Sequence, residues 1–203
     1  MGNLFQQLNA DLASLVESVQ RSVVQVRASA RGVGAGSIWH PDGLIVTNAH
    51  VVRGGGVLEV ALADGRVLPA RLLARDDGRD LAALSIVAEG LATIMPGSAK
   101  RLHAGQWVFA VGHPWGVTNA ATGGVVIRVG KGLPEMNVSG DYVVTDTHLR
   151  PGNSGGPLVD ASGQMVGVNT LITGWNVGVA VSVDSVKHFL KEALGEAASA
   201  QRV

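Results

Sequence analysis

The sequence predicts an all-β fold of the closed-barrel or sandwich kind. Short apolar runs rich in Val, Ile and Leu recur along most of the chain, and Gly, Pro, Asn and Asp break them at frequent intervals. Glycine is abundant, at 28 residues, while aromatic residues make up only 4%, so the core must be built from Val, Leu, Ile and Ala around tight turns. A chain of 203 residues is long enough for one large all-β unit or two small domains.

At the start, Leu4, Leu8, Leu12, Leu15, Val16 and Val19 recur at helical spacing and predict an amphipathic helix over residues 4–20. Residues 21–28 read as the first strand. The glycine cluster from Gly32 to Gly36 reads as a bulged barrel corner, not a phosphate loop. An apolar, strand-like run over residues 44–52 carries His50, and residues 57–62, 67–73 and 81–87 read as further strands. Beyond a polar link come runs at 107–111, 120–129, 142–145, 157–159, 164–171 and 177–181. Val183, Val186, Phe189 and Leu190 then predict a closing amphipathic helix over residues 183–194.

Composition excludes several function classes. Lys+Arg and Asp+Glu are both 16, giving a formal net charge of +0, which offers no footprint for nucleic acid. With Cys 0 there is no disulfide framework, thiolate metal site or cysteine nucleophile. No run approaches the roughly 18 apolar residues of a membrane span. The first residues lack a signal-peptide pattern, so the chain as given reads as cytoplasmic, or as periplasmic or secreted if already processed. His40, His103 and His188 read as turn, link and helix residues. No histidine pair has metal-ligand spacing, and no cofactor is implied. Trp115 and Trp175, flanked by Gly or Asn, read as loop aromatics.

The chemistry lies in three segments. Gly152-Asn153-Ser154-Gly155-Gly156-Pro157 sets a serine hydroxyl among glycines, where a sharp turn can expose Oγ and aim amide groups at a substrate; taken alone it reads equally well as an ordinary connecting loop. His50 ends an apolar run, where a core histidine is the commoner case. Asp80 precedes another such run, where an acid is usually a turn residue. Together they supply His, Asp and Ser in the chain order of the chymotrypsin-type arrangement, while the Gly-x-Ser-x-Gly elbow of α/β-hydrolases is not met. Asp76 and Asp77 are rivals for the acid but lie farther from the apolar run.

In Thr47-Asn48-Ala49-His50-Val51-Val52, Asp80-Leu81-Ala82-Ala83-Leu84 and Gly152-Asn153-Ser154-Gly155-Gly156-Pro157-Leu158-Val159, the chain resembles HtrA/Deg-type trypsin-like serine proteases. Val108-Phe109-Ala110-Val111-Gly112-His113-Pro114-Trp115-Gly116 is similar to that family's Val-x-Ala-Ile-Gly-Asn-Pro-Phe-Gly segment, with His113 in place of the usual Asn. Gly163 to Thr170 also matches in kind. The resemblance implies two six-stranded antiparallel β-barrels flanked by an N-terminal and a C-terminal helix. Residues 1–20 would form the helix, 21–95 the first barrel, 96–182 the second, and 183–203 the closing helix and tail of a single protease unit, with no room for a following PDZ domain.

The same resemblance implies a serine endopeptidase acting on protein or peptide substrates through His50, Asp80 and Ser154, with the N–H groups of Gly152 and Ser154 as oxyanion hole. It maps substrate-binding positions onto Leu149, Thr173 and Val177. An aliphatic pocket there favours cleavage after small or medium aliphatic residues, whereas His148, six before the serine, would instead favour an acidic residue. A catalytically silent or activation-dependent fold used as a binding module is the rival reading, and an esterase a third. A homotrimer through the apolar N-terminal stripe, Phe5 included, is a further expectation of the resemblance.

Overall fold

The computed structural model describes residues 2–28, 32–54, 56–118, 120–131, 140–173 and 177–200. A helix, α1 (Gly2–Gln20), leads into six strands: β1 (Val23–Ala28), β2 (Gly32–His40), β3 (Leu44–Thr47), β4 (Leu58–Ala61), β5 (Val67–Asp76) and β6 (Leu81–Ile86). They close antiparallel into a barrel of order β1-β2-β3-β6-β5-β4. After a link bearing one 3-10 turn, Ala99–Arg101, six more strands follow: β7 (Trp107–Gly112), β8 (Ala120–Lys131), β9 (Asp141–Thr145), β10 (Pro157–Asp160), β11 (Met165–Thr173) and β12 (Val177–Ser182). These close as β10-β11-β12-β9-β8-β7, and α2 (Val183–Ala200) ends the described chain. The fold class read from the sequence is therefore the one observed.

The buried residues explain why the strands read as continuous apolar runs. Along β6, Ala82, Leu84 and Ile86 point into the first barrel with Val24, Val26, Ile45 and Val60. Their neighbours Leu81 and Ala83 face a second cluster shared with β7, β10, β11, β12 and both helices. Successive side chains on a strand point to opposite faces, and here both faces are covered. The second barrel has its own interior, with Val108, Val126, Val143, Leu158 and Val166.

Two differences from the sequence reading matter for the site. The run over residues 44–52 is a strand only as far as Thr47; residues 49–54 are turn, because the chain leaves the barrel so that Asn48 and His50 can meet Asp80. The first helix packs only its C-terminal half. Val19 is buried and Leu12, Leu15 and Val16 lean on the shared cluster, whereas Leu4, Phe5 and Leu8 are 72%, 69% and 52% exposed.

Helix α2 pins the link between the barrels. Asp184 accepts the Ala99 N–H at 3.0 Å, Lys187 donates to the Gly97 carbonyl at 2.5 Å, and Glu192 pairs with Arg79 beside Asp80 at 2.5 Å. Phe189 and Leu190 fill the shared cluster beneath these polar ties. Truncating Phe189→Ala should cost about 3–5 kcal/mol, the range for emptying a buried aromatic site. Urea unfolding measures it, and a loss below about 1 kcal/mol would show that α2 is dispensable to the seam.

Candidate active site

His50 stands on the turn after β3, Asp80 at the entry to β6, and Ser154 on the loop before β10. Asp80 adopts a left-handed backbone (φ 55), a conformation Asp tolerates better than most residues. Its backbone is held there by the Asn48 side-chain amide, which donates to the Asp80 carbonyl at 2.9 Å. The carboxylate then faces His50. Nδ1 of the imidazole lies 2.8 Å from Oδ2 and 3.0 Å from Oδ1, and the His50 backbone N–H donates to Oδ1 at 3.0 Å. With Nδ1–H donated to the carboxylate, Nε2 is the ring atom left to accept a proton.

Thr170 brings in the second barrel. The β11–β12 register shifts between Asn169 and Leu171, leaving Thr170 as the extra residue of a bulge, with its groups released from the ladder. Its hydroxyl donates a short hydrogen bond to Asp80 Oδ2, and its carbonyl accepts the Ser154 hydroxyl at 3.1 Å. Thus Ser154 joins His50 and Asp80 through Thr170, and its Oγ–H points to that carbonyl, not to the imidazole. Sequence reading had matched Thr170 in kind without giving it a role. Strand-interior Asn-Thr before a Leu was the available signal, but a bulge leaves no mark in hydrophobic periodicity.

The serine loop is shaped by contacts no side chain would allow. Gly152 has φ +103, and a Cβ there would lie 2.1 Å from the His113 carbonyl oxygen; at Gly155 (φ +86) it would lie 2.1 Å from that of Ala35. The Ser154 carbonyl accepts Ala35 N–H at 2.8 Å, tying the loop to the first barrel. Pro151 offers its carbonyl to Trp115 N–H at 2.9 Å, and Asn153 offers its own to Gly156 N–H at 3.0 Å. In a trans peptide the N–H points opposite to the carbonyl. The N–H groups of Gly152 and Ser154 are therefore turned away from those partners, and neither has an acceptor among the described residues.

Burial pushes the Asp80 carboxyl up, but the hydrogen bonds from His50 and Thr170, with the pull of the imidazole and its backbone N–H, outweigh it and hold the group below the usual carboxylate range. The rival acids are engaged elsewhere. Asp76 pairs with Arg79, and Asp77 with Arg75 and Arg53, whose hydrogen bonds lower its pKa. Among the described residues no group of three His, Cys, Asp or Glu side chains is arranged to hold a metal ion.

The positions mapped to substrate binding separate. Leu149 is 4% exposed within the apolar interior of the second barrel, while His148 is exposed. Thr173 ends β11 opposite Val177, the half-buried first residue of β12. Trp115 is 71% exposed, with the Arg150 guanidinium 6.0 Å above its ring; Trp175 lies outside the described residues.

The family model of the trypsin-like peptidase domain matches residues 34–168, a span holding His50, Asp80 and Ser154. The chain belongs to the trypsin-like peptidase family. Among curated relatives it is 41% identical over 142 residues to a probable periplasmic serine endoprotease of DegP-like type from Halomonas elongata, covering 70% of this chain and 30% of that protein. It is 35% identical over 195 residues to the serine protease HTRA1 of Xenopus laevis, covering 89% and 42%. The chain thus spans less than half the length of these relatives. Among solved structures, the HtrA-type protease AlgW with a decapeptide superimposes with a TM-score of 0.84 at 26% identity, covering 91% of this chain and 67% of that one. AlgW with a tripeptide gives 0.83 at 30% identity, covering 89% and 62%.

Because the Asp80 pKa is lowered on folding, its contribution to stability is present above the ordinary carboxylate value of about 4 and is lost as pH falls through the lower native value. Urea unfolding between about pH 6 and 2 should show this slope in the unaltered protein and a shallower one in Asp80→Asn. Equal slopes would mean that Asp80 is not the acid-sensitive tie.

Proposed function

We propose that this domain is a serine endopeptidase in which His50, oriented by Asp80, takes the proton from Ser154 Oγ as the hydroxyl attacks a peptide carbonyl. The supporting observation is the Asp80 carboxylate seated on His50 Nδ1 beside a serine whose loop leaves two amide N–H groups unpaired. The freed Nε2 accepts the serine proton and returns it to the leaving amine, while Asp80 stabilises the imidazolium. The Gly152 and Ser154 amides receive the oxyanion, a role in which one lost donor typically costs about 10²–10³ in rate. Rotation about the Ser154 Cα–Cβ bond brings Oγ from the Thr170 carbonyl to the imidazole.

Substrates are flexible or unfolded polypeptides, cut after small or medium aliphatic residues. The apolar Leu149 at the mapped position supports an uncharged primary pocket. A peptide-library profile should therefore peak at Val, Ala or Leu before the cut, and one dominated by Glu would transfer the specificity role to His148.

A second reading, a protease that rests inactive until triggered or a silent binding module, is favoured by the Ser154 hydroxyl donating to Thr170 instead of His50. Fluorophosphonate labelling separates the two. The protein should label at Ser154 and Ser154→Ala should not, with His50→Ala slowed by about 10²–10⁴-fold. Failure of the unaltered protein to label under any condition would favour the module.

Homotrimer formation through α1 is supported by the exposed Leu4, Phe5 and Leu8 on its otherwise packed stripe. Light scattering should give three-chain mass for the full chain and a smaller one once these three residues are changed to Ser. An unchanged mass would place the contact elsewhere.

A further inference from the structure

The end of β3 reaches both other parts of the site. Thr47 and Asn48 are each 0% exposed. Thr47 closes the β3–β6 pairing opposite Ala82 and donates its hydroxyl to the Ala35 carbonyl at 2.7 Å, while the Ala35 N–H is donated to the Ser154 carbonyl at 2.8 Å. Asn48, the next residue, donates through Nδ2 to the Asp80 carbonyl at 2.9 Å, and His50 donates its backbone N–H to Asp80 Oδ1 at 3.0 Å. One short segment therefore grips Asp80 at two points, by its backbone and by its carboxylate.

An amide at position 48 is a poor choice for packing alone. The Asn48 side-chain oxygen is buried and has no hydrogen-bond partner among the described residues, so a whole polar group leaves water for the sake of one donor. A buried position with no such task is filled at lower cost by an apolar side chain of the same shape. The donor goes to the residue of the triad with the least favourable backbone: Asp80 is left-handed at φ 55. On the N-terminal side of that residue, Asp76 Oδ1 accepts the Arg79 N–H at 2.9 Å; on the C-terminal side, Asn48 holds the carbonyl.

We propose that Asn48 is a positioning residue for the proton transfer: its bond to the Asp80 carbonyl keeps Asp80 left-handed, and so keeps the carboxylate on His50 Nδ1 and leaves Nε2 to accept the Ser154 proton. Without that bond the Asp80 peptide turns toward a commoner conformation, and the carboxylate branching from the same Cα turns with it. The imidazole then loses the acceptor that fixes its tautomer. Asn48 itself touches no reacting atom. The effect on rate rests on the endopeptidase reading, whereas the placement of the imidazole does not.

Asn48→Leu tests this, because Leu is close in volume and removes both the donor and the unpaired oxygen. With a peptide substrate at about pH 8, above the range in which ordinary imidazoles titrate, kcat should fall about 10–10²-fold while KM changes less than about two-fold. In an Asp80→Asn background the same substitution should change kcat less than about two-fold, since the carboxylate it positions is gone, whereas a purely structural role would give the same loss in both backgrounds. ¹⁵N spectra of the His50 ring supply a second readout: the proton on Nδ1 in the unaltered protein, and a mixture of both tautomers in Asn48→Leu. Should that variant not fold, Asn48→Ser, too short to reach the carbonyl, replaces it in both measurements. An unchanged kcat, an equal loss beside Asp80→Asn, or an unaltered ring spectrum would overturn the proposal. If the unaltered protein cleaves nothing, the endopeptidase reading fails and the ring spectrum alone decides the role of Asn48.

Discussion

The Asp80 carboxylate is the group that both barrels must satisfy at once. Three donors converge on it, two from His50 in the first barrel and one from Thr170 in the second, while its own backbone is held in a left-handed conformation by Asn48. A half-buried carboxylate is costly unless fully bonded, and it loses the Thr170 bond if the barrels slide or β11 loses its bulge. The carboxylate that faces the imidazole is therefore completed only when the barrels dock. Arg79, next in chain to Asp80, extends the constraint outward to Glu192 on α2.

Around that tie the architecture divides its tasks. The barrel interiors make each half rigid, and the shared cluster of Leu81, Ala83, Phe109, Val111, Val168, Val179 and Phe189 sets their relative position. Rigidity matters because a loop such as 151–156 has few contacts of its own. It keeps its shape by borrowing backbone partners from Ala35, Trp115, His113 and Asn169. Trp115 itself sits at φ 52, unusual for a bulky residue and worth roughly 1–3 kcal/mol of strain. Its N–H on Pro151 and the Arg150 guanidinium over its ring show what that strained backbone is held against.

The division also explains how the Gly152 and Ser154 amides can stay open. An unpaired backbone N–H is disfavoured in a buried loop, and the chain would relieve it by flipping a peptide. Here the carbonyls of Pro151 and Asn153 are each occupied, so flipping would break an existing bond to satisfy another. The direction of the Gly152 and Ser154 amides is in this sense set by Trp115 and Gly156.

Much of this was legible in the residues. Short apolar runs and turn clusters give an all-β chain because strand periodicity and turn chemistry are local, and the helical spacing of Leu8, Leu12, Leu15 and Val19 is local too. The order His50, Asp80, Ser154 and the glycines at 152 and 155 are visible for the same reason: each residue type is demanded by its own backbone or its own chemistry. Tertiary structure alone decided the rest. Strand β3 stops at Thr47 because Asp80 competes for the next residues. Thr170 becomes a bridge because a bulge releases it, and His113 is buried where its loop meets the serine segment. Each of these depends on groups far apart in the chain meeting across a seam, which no window of sequence contains.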